Sequence, residues 1–403
     1  MSFNQYTWDL YKQTTIGIEM IKYFSDAGGY VSFKDYCPYA NFIPEDLYND
    51  WLENIYCYGV SDYDHPSSLE EAKDLYISLI TLGIRVEGQQ WLPANDFKNM
   101  LGIIQPMSYV LSQFAPEYFF PYLFLCRIFE LNKIADFFNI DLPNIPKRTD
   151  YKGRCMYYWE LCEVFYLFRK ENGLSPADLW SFLYDFAPNN LPSEKIDMPK
   201  PSQVWFIGGR LYQEDKSLES KFWQSSPETK KGDILVHYET SPISAITCIE
   251  ISLTDGVIDP LFRYYGCIYI GNRINIPHIT LKELQTDEYF FKHPLVRKNF
   301  QGVNGWSVNS ENYSELLRMI KTKGFDIEVL PKLYAPTLPK DVIIEYEHDV
   351  EQQLLEPLLN SMGWYENKDF IRQLPIQAGR GHRIFPDYAL HYGNKPNEER
   401  AKV

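Results

Sequence analysis

The chain has 403 residues and a formal net charge of −15, with 45% hydrophobic and 16% aromatic residues. That length allows two to four domains with sizeable cores, and the ring content is high for a soluble globular protein. The acidic balance excludes a uniformly basic nucleic-acid surface. The seven cysteines, at 37, 57, 126, 155, 162, 248 and 267, contain no CxxC pair, which argues against zinc and for reduced, mostly buried thiols.

The opening MSFNQYTWDLYKQ lacks the basic start and apolar run of a signal peptide, and the longest apolar run, around Tyr118 to Phe129, is too short to span a membrane. A cytoplasmic protein with no membrane partner is expected. Charge is unevenly spread. Residues 290–323 carry six cations, among them Arg297 and Lys298, against two acids, and residues 366–403 carry seven, among them Arg372, Arg380 and Arg383, against five. Basic surface for a phosphate backbone is therefore sought in the C-terminal half; solvated charged faces are the plainer reading.

Residues 1–95 and 96–200 read as two mainly helical domains. Leu10 to Phe24 has helical periodicity, and Gly28-Gly29 breaks it. Glu45 to Ile55 and Ser67 to Leu82 look like further helices, the second opened by Ser67-Ser68 with Glu70-Glu71 in its first turn. Ile84-Arg85-Val86 and Gln90-Trp91-Leu92 would form a small hairpin, which leaves a winged-helix reading open. Leu161 to Phe168 is amphipathic, and Ser175-Pro176-Ala177-Asp178 is a helix start with serine as cap and proline in first position. The rings from Trp159 to Phe186 are expected in a core. Ala187 to Ser202, with four prolines, is the expected linker.

Residues 203–328 change character. Strands are expected at Val204 to Ile207, around Phe222-Trp223, at Ile234 to Tyr238 after Lys231-Gly232-Asp233, at Ala245 to Leu253 and at Arg263 to Ile270, with a late helix from Ser310 to Lys323. Many short strands closed by one helix read as a small β-barrel. The order Trp205, Trp223, Lys231-Gly232-Asp233 before an apolar strand and Tyr238, then Leu281 to Leu284 and Asn299 to Gly302, resembles the EVE and YTH branch of the PUA-like superfamily. That resemblance implies a pocket for one extruded, modified base, with Trp205, Trp223 and Tyr238 as stacking residues and Asp233 accepting from a base edge. Core packing for the tryptophans, and turn stabilisation for Asp233, are the plain alternatives.

Residues 340–403 close the chain. Val350, Leu354, Leu355, Leu358, Leu359 and Met362 recur at helical spacing, Glu347 shares their stripe, and Gly363 ends the helix. Ile371 to Ile376 and Ile384 to Leu390 read as strands around an Ala378–Gly381 turn, with Asp387 between apolar neighbours, so that two acids are expected on a buried side. Glu347, Asp349, Leu354 to Leu359, Gly363-Trp364, Arg372-Gln373, Ile376, Gly379-Arg380 and Pro386 to Leu390 resemble the N-terminal nuclease domain of type I restriction endonuclease R subunits, of the PD-(D/E)xK superfamily. The resemblance implies that Asp387 and Glu347 bind Mg2+ and act in catalysis, because hard divalent cations take carboxylate oxygens and activate water. The (Asp/Glu)-x-Lys element is not evident: Glu399 and Lys402 have the wrong spacing. A fragment or a lost activity is therefore expected for this chain.

Together these features imply an α+β multidomain protein: a helical N-terminal half, a PUA-like barrel and a partial α/β nuclease fold. The expected function is that of a modification-dependent DNA restriction endonuclease in phage defence. A non-catalytic reader of modified DNA or of RNA is the alternative, and homo-oligomerisation is left open. No GxxxxGK(S/T) loop occurs, so the translocating motor of type I R subunits is not expected.

Overall fold

The computed structural model describes residues 3–25, 60, 63–86, 89–125, 127–191, 198–210, 220–334, 344–377 and 383–390. It is mixed α and β, and divides into two compact units: Met1–Lys195 with Ile258–Tyr265, and Ile196–Val257 with Gly266–Val403. The expected helix at Glu45 to Ile55 lies outside the described residues.

The first unit is helical. Its elements are α1 (Gln5–Tyr11), α2 (Thr15–Ser25), α3 (Leu69–Leu82), a hairpin of β1 (Ile84–Val86) and β2 (Gln89–Leu92), α4 (Phe97–Met100), α5 (Ile104–Phe114), α6 (Ile128–Phe138), α7 (Tyr151–Glu171), α8 (Pro176–Ser181) and α9 (Ala187–Asn190). The single helix expected over Leu10 to Phe24 is two. The Thr14 hydroxyl accepts from the Gly17 amide at 3.0 Å and starts a new helix there, and a side chain at Gly17 would run into the carbonyl of Tyr11. The cap expectations are met at Ser68, which accepts from Glu71 N, and at Ser175, which forms a reciprocal box with Asp178. Helix continues into the expected linker as far as Asn190, because a π-helical turn, Phe182–Phe186, carries α8 directly into α9 ahead of Pro188.

Rings fill the core of this unit. Trp8, Tyr76, Tyr158, Trp159 and Phe182 are fully buried, and the hydroxyls of Tyr76 and Tyr158 donate at 2.7 Å to the carbonyls of Cys155 and Phe120. Arg154, also buried, donates to the carbonyls of Pro260, Phe262 and Arg148 at 2.7–2.9 Å, which ties the Ile258–Tyr265 segment to α7.

The second unit is organised by a sheet curled into a half-barrel. Its strands are β3 (Val204–Gly209), β4 (Ser220–Gln224), β5 (Ile234–Glu239), β6 (Ala245–Ser252), β7 (Val257–Ile258), β8 (Gly266–Thr280) and β9 (Trp306–Val308). The order is β4-β8-β6-β5-β3-β9, with β7 on β8; β3 and β5 are parallel and the other pairs along this path antiparallel. One face packs under α10 (Leu281–Thr286), α11 (Pro294–Arg297) and α12 (Ser310–Thr322) through Val204, Phe206, Val236, Ile246 and Ile249. The other carries a smaller cluster of Trp205, Ile207, Leu235, Ile268 and Ile270, with Trp223 against it.

The same unit includes the C-terminal elements. A helix runs from Glu347 to Ser361 through α13 (Glu347–Val350), a π-helical turn (Glu351–Leu355) and α14 (Glu356–Ser361). Short strands follow: β10 (Phe370–Arg372) pairs antiparallel with β13 (Tyr388–Leu390), and β11 (Ile376–Gln377) with β12 (Arg383–Ile384). Each of the two strands expected here is thus split. No residue of this helix is buried, so the stripe expected to face a core stays at least partly exposed.

Candidate functional site

The turn before β5 fixes the site's floor. Gly232 has φ +91°, and a Cβ there would lie 2.5 Å from the Pro199 carbonyl oxygen, so glycine is required. Asp233 follows, and its carboxylate takes hydrogen bonds from Lys230 N (2.8 Å), Gln203 N (3.1 Å), Gln203 Nε2 (3.1 Å), Ser202 Oγ (3.3 Å) and the indole Nε1 of Trp205 (2.9 Å). Burial pushes this carboxyl up to about 6, against the pull of those donors. With so many donors on it, Asp233 acts here as the clamp that orients Trp205.

Strand register then gathers the Trp205 face. Trp205 is aligned with Leu235 and Ile207 with His237 across the parallel pair, while Leu235 faces Glu250 and His237 faces Cys248 across the antiparallel one. Trp223, on β4 and partly buried, sets its ring against the His237 imidazole with centroids 4.8 Å apart. Gly209 permits this placement: a Cβ there would sit 2.5 Å from Trp223 Cζ2. Trp205 and Trp223 thus share one face. Tyr238 does not join them. Strand alternation turns it to the helix-covered face, where it stacks on Phe300 at 4.0 Å and 3°.

Three polar residues on this face were not singled out from the sequence. His237 Nδ1 lies 3.0 Å from Glu250 Oε2, and Arg273 holds Glu250 Oε1 through Nε (2.8 Å) and Nη2 (2.7 Å). His237 is 0% and Glu250 2% exposed. Burial alone would raise the Glu250 carboxyl, but the hydrogen bonds of His237 and Arg273, with the Arg273 charge beside them, hold it below the usual range. The Nε2 of His237 has no hydrogen-bond partner among the described residues. The signal was legible: a histidine inside ILVHYE and a glutamate inside AITCIEIS are costly in buried strands unless they meet.

His237, Cys248 and Glu250 also place ligand atoms within 4.8 Å of one another, a spacing that a metal ion could use. The chemistry opposes it. Both Glu250 oxygens are engaged, the Arg273 cation lies beside them, and burial pushes the Cys248 thiol up to about 12, away from the thiolate a metal needs.

The C-terminal candidates are arranged differently. Glu347 and Asp387 are both exposed, which corrects the expectation of a buried side for the two acids. Asp387 accepts one bond from Gln373 Nε2 at 2.9 Å, and neither acid belongs to a group of three potential ligands among the described residues. These residues do not by themselves build a Mg2+ cage. Arg372 is fully occupied, forking onto Glu366 and reaching Glu356. Arg297, Lys298 and Arg383 are exposed, and Arg380 lies outside the described residues. Within the 290–323 run, Arg318 pairs with Asp287 and Glu315, and Lys323 with Glu283.

A cluster of contacts docks this segment on the half-barrel. Lys230, from the turn that presents Asp233, forms a buried ion pair with Asp369, lies over the Trp364 ring at 5.3 Å, and is flanked by a Lys368–Asp255 pair at 3.2 Å. Asp369 immediately precedes β10, which pairs with the strand that follows Asp387.

No protein-family model and no curated protein matches the chain. Two solved structures are similar to part of it. One is an NMR structure of Rpa0253 from Rhodopseudomonas palustris, 14% identical, covering 30% of this chain and 94% of that one at a TM-score of 0.26. The other is a hypothetical protein from Leishmania major, 12% identical, covering 31% and 98% at a TM-score of 0.26. Likeness at that level carries no weight for fold or function here. No helix among the described residues is long and apolar enough to cross a membrane.

Proposed function

We propose that this chain reads a modified base in DNA, held on the Trp205 face of the half-barrel, as part of a modification-dependent restriction endonuclease. The observation that carries the base-reading half is the meeting of Trp205, Trp223 and the buried, unpartnered His237 Nε2 on one face. Extruding a base costs a few kcal/mol, and stacking on an aromatic ring returns about 1–3 kcal/mol per base. Trp223, partly buried, is the stacking surface; Trp205, 3% exposed and tied to Asp233, forms the wall behind it. The nuclease half rests on the similarity of residues 345–403 to PD-(D/E)xK domains, with Asp387 and Glu347 as its acids.

The test is binding of fluorescent duplexes that carry one 5-methylcytosine, 5-hydroxymethylcytosine or N6-methyladenine, against the unmodified duplex and a structured RNA. A preference for one modified duplex is expected, and Trp223→Ala should weaken it by about 5- to 150-fold, the equivalent of one stacked base. Equal binding to plain and modified duplex rejects base reading, and tighter binding to the RNA moves the site to RNA. A plasmid bearing the preferred base, incubated with Mg2+ and with a chelator, then asks for cleavage; binding without cleavage leaves the chain a reader only.

A further inference from the structure

The buried polar triad on the Trp205 face has an unused end. Glu250, held ionised beside Arg273, can only accept hydrogen bonds, so the His237 nitrogen facing it must carry the proton. Arg273 already balances the Glu250 charge, so a neutral imidazole completes a neutral triad. Its second nitrogen, Nε2, then presents a lone pair at a buried position beside Trp223, where no described group donates to it. A buried acceptor without a donor is costly, and native proteins rarely leave one unused. The same face carries the apolar cluster of Trp205, Ile207, Leu235, Ile268 and Ile270 with Trp223 against it, and the Cys248 thiol lies within 4.8 Å of the His237–Glu250 pair. Such a setting suits a flat ring that offers one hydrogen-bond donor in its own plane.

We propose that His237 Nε2 accepts a hydrogen bond from an exocyclic amino group of the bound base, which selects amino-bearing bases, cytosine or adenine derivatives, and that Glu250 and Arg273 are positioning residues that fix the accepting tautomer. This rests on the base-reading function above and names its ligand class. Aromatic stacking is indifferent to base identity because every base has a π-face; an oriented acceptor is not.

The experiment varies the ligand rather than the protein, so misfolding cannot confuse it. Wild-type chain is titrated with duplexes that carry 5-methylcytosine or, at the same position, 5-methyl-2-pyrimidinone, which lacks the 4-amino group. The adenine arm compares N6-methyladenine with purine. In the arm that binds, loss of the amino group is expected to weaken binding at least about tenfold, the worth of one buried hydrogen bond. In His237→Phe the two members of the pair should bind alike. A second readout needs no ligand: long-range 1H–15N correlation of the His237 ring should show the Nδ1–H tautomer in wild type and its loss in Glu250→Gln. Equal binding of amino and deamino duplexes to the wild type, or an Nε2–H tautomer, overturns the assignment of His237 while leaving base reading intact. Absence of preference for any modified duplex removes base reading itself, and the assignment with it.

Discussion

The half-barrel and the C-terminal segment handle their polar residues in opposite ways. On the Trp205 face the buried acids are locked, Asp233 to Trp205 and Glu250 to His237 and Arg273. In the Glu347–Leu390 region the two acids of the nuclease-like pattern face solvent, and the helix bearing one of them has no fully buried residue. A site is preorganised when its groups are oriented before a ligand arrives, and desolvation makes such orientation persist. The half-barrel meets that condition among the described residues. The C-terminal acids do not, although their sequence pattern was the more specific of the two.

That contrast can be broken or sharpened by substitution. The largest effect is expected from Glu250→Ala, which leaves His237 and Arg273 without their shared partner; removing one member of a buried ion pair costs about 3–5 kcal/mol, read by chemical denaturation. Lys230→Ala should cost about 3 kcal/mol, toward the low end of that range because Lys230 is 8% exposed, and it should make the stretch around Trp364 and Asp369 newly sensitive to limited proteolysis. Unchanged proteolysis there would mean that the segment does not depend on the Lys230–Asp369 pair for its docking.

Asp233 gives a pH signature. Its carboxyl stands at about 6 in the fold against 3.8 as reference, so between those values the folded state binds more protons than the unfolded. Its contribution to stability therefore falls as pH rises from about 4 to about 6 and is level above. Relative to Asp233→Asn, the wild type should lose on the order of 3 kcal/mol across that window; parallel pH curves for the two proteins would refute the shift. At the small end, Glu347→Ala and Asp387→Ala should leave the unfolding midpoint where it is, as exposed substitutions do. Any loss of Mg2+-dependent cleavage in those variants would then report on chemistry and not on folding. A clear destabilisation by either would show that its carboxylate is engaged in the fold after all.

Much of the local structure was legible. Helix starts at Ser68 and Ser175 follow from side chains that reach their own backbone, and the Gly232-Asp233 turn follows from a glycine with positive φ and an aspartate that closes on Lys230 N. The break at Thr14 was less visible, because a threonine cap inside a continuous apolar pattern competes with the helix on equal terms. In the candidate site, Trp205 and Trp223 share one face, whereas Tyr238, expected with them, belongs to the other.

By itself, then, the sequence determined where the capped helices at Ser68 and Ser175 begin, that the Gly232 turn is tight, and that a histidine and a glutamate sit inside apolar strands. Tertiary structure alone decided which face each ring occupies, because both faces of β5 are buried and period-two alternation cannot say which is covered by helices. It also decided that His237 meets Glu250 thirteen residues on and that Arg273 completes them. Those meetings depend on strand order and register, which are set by how the whole sheet closes and not by any one strand.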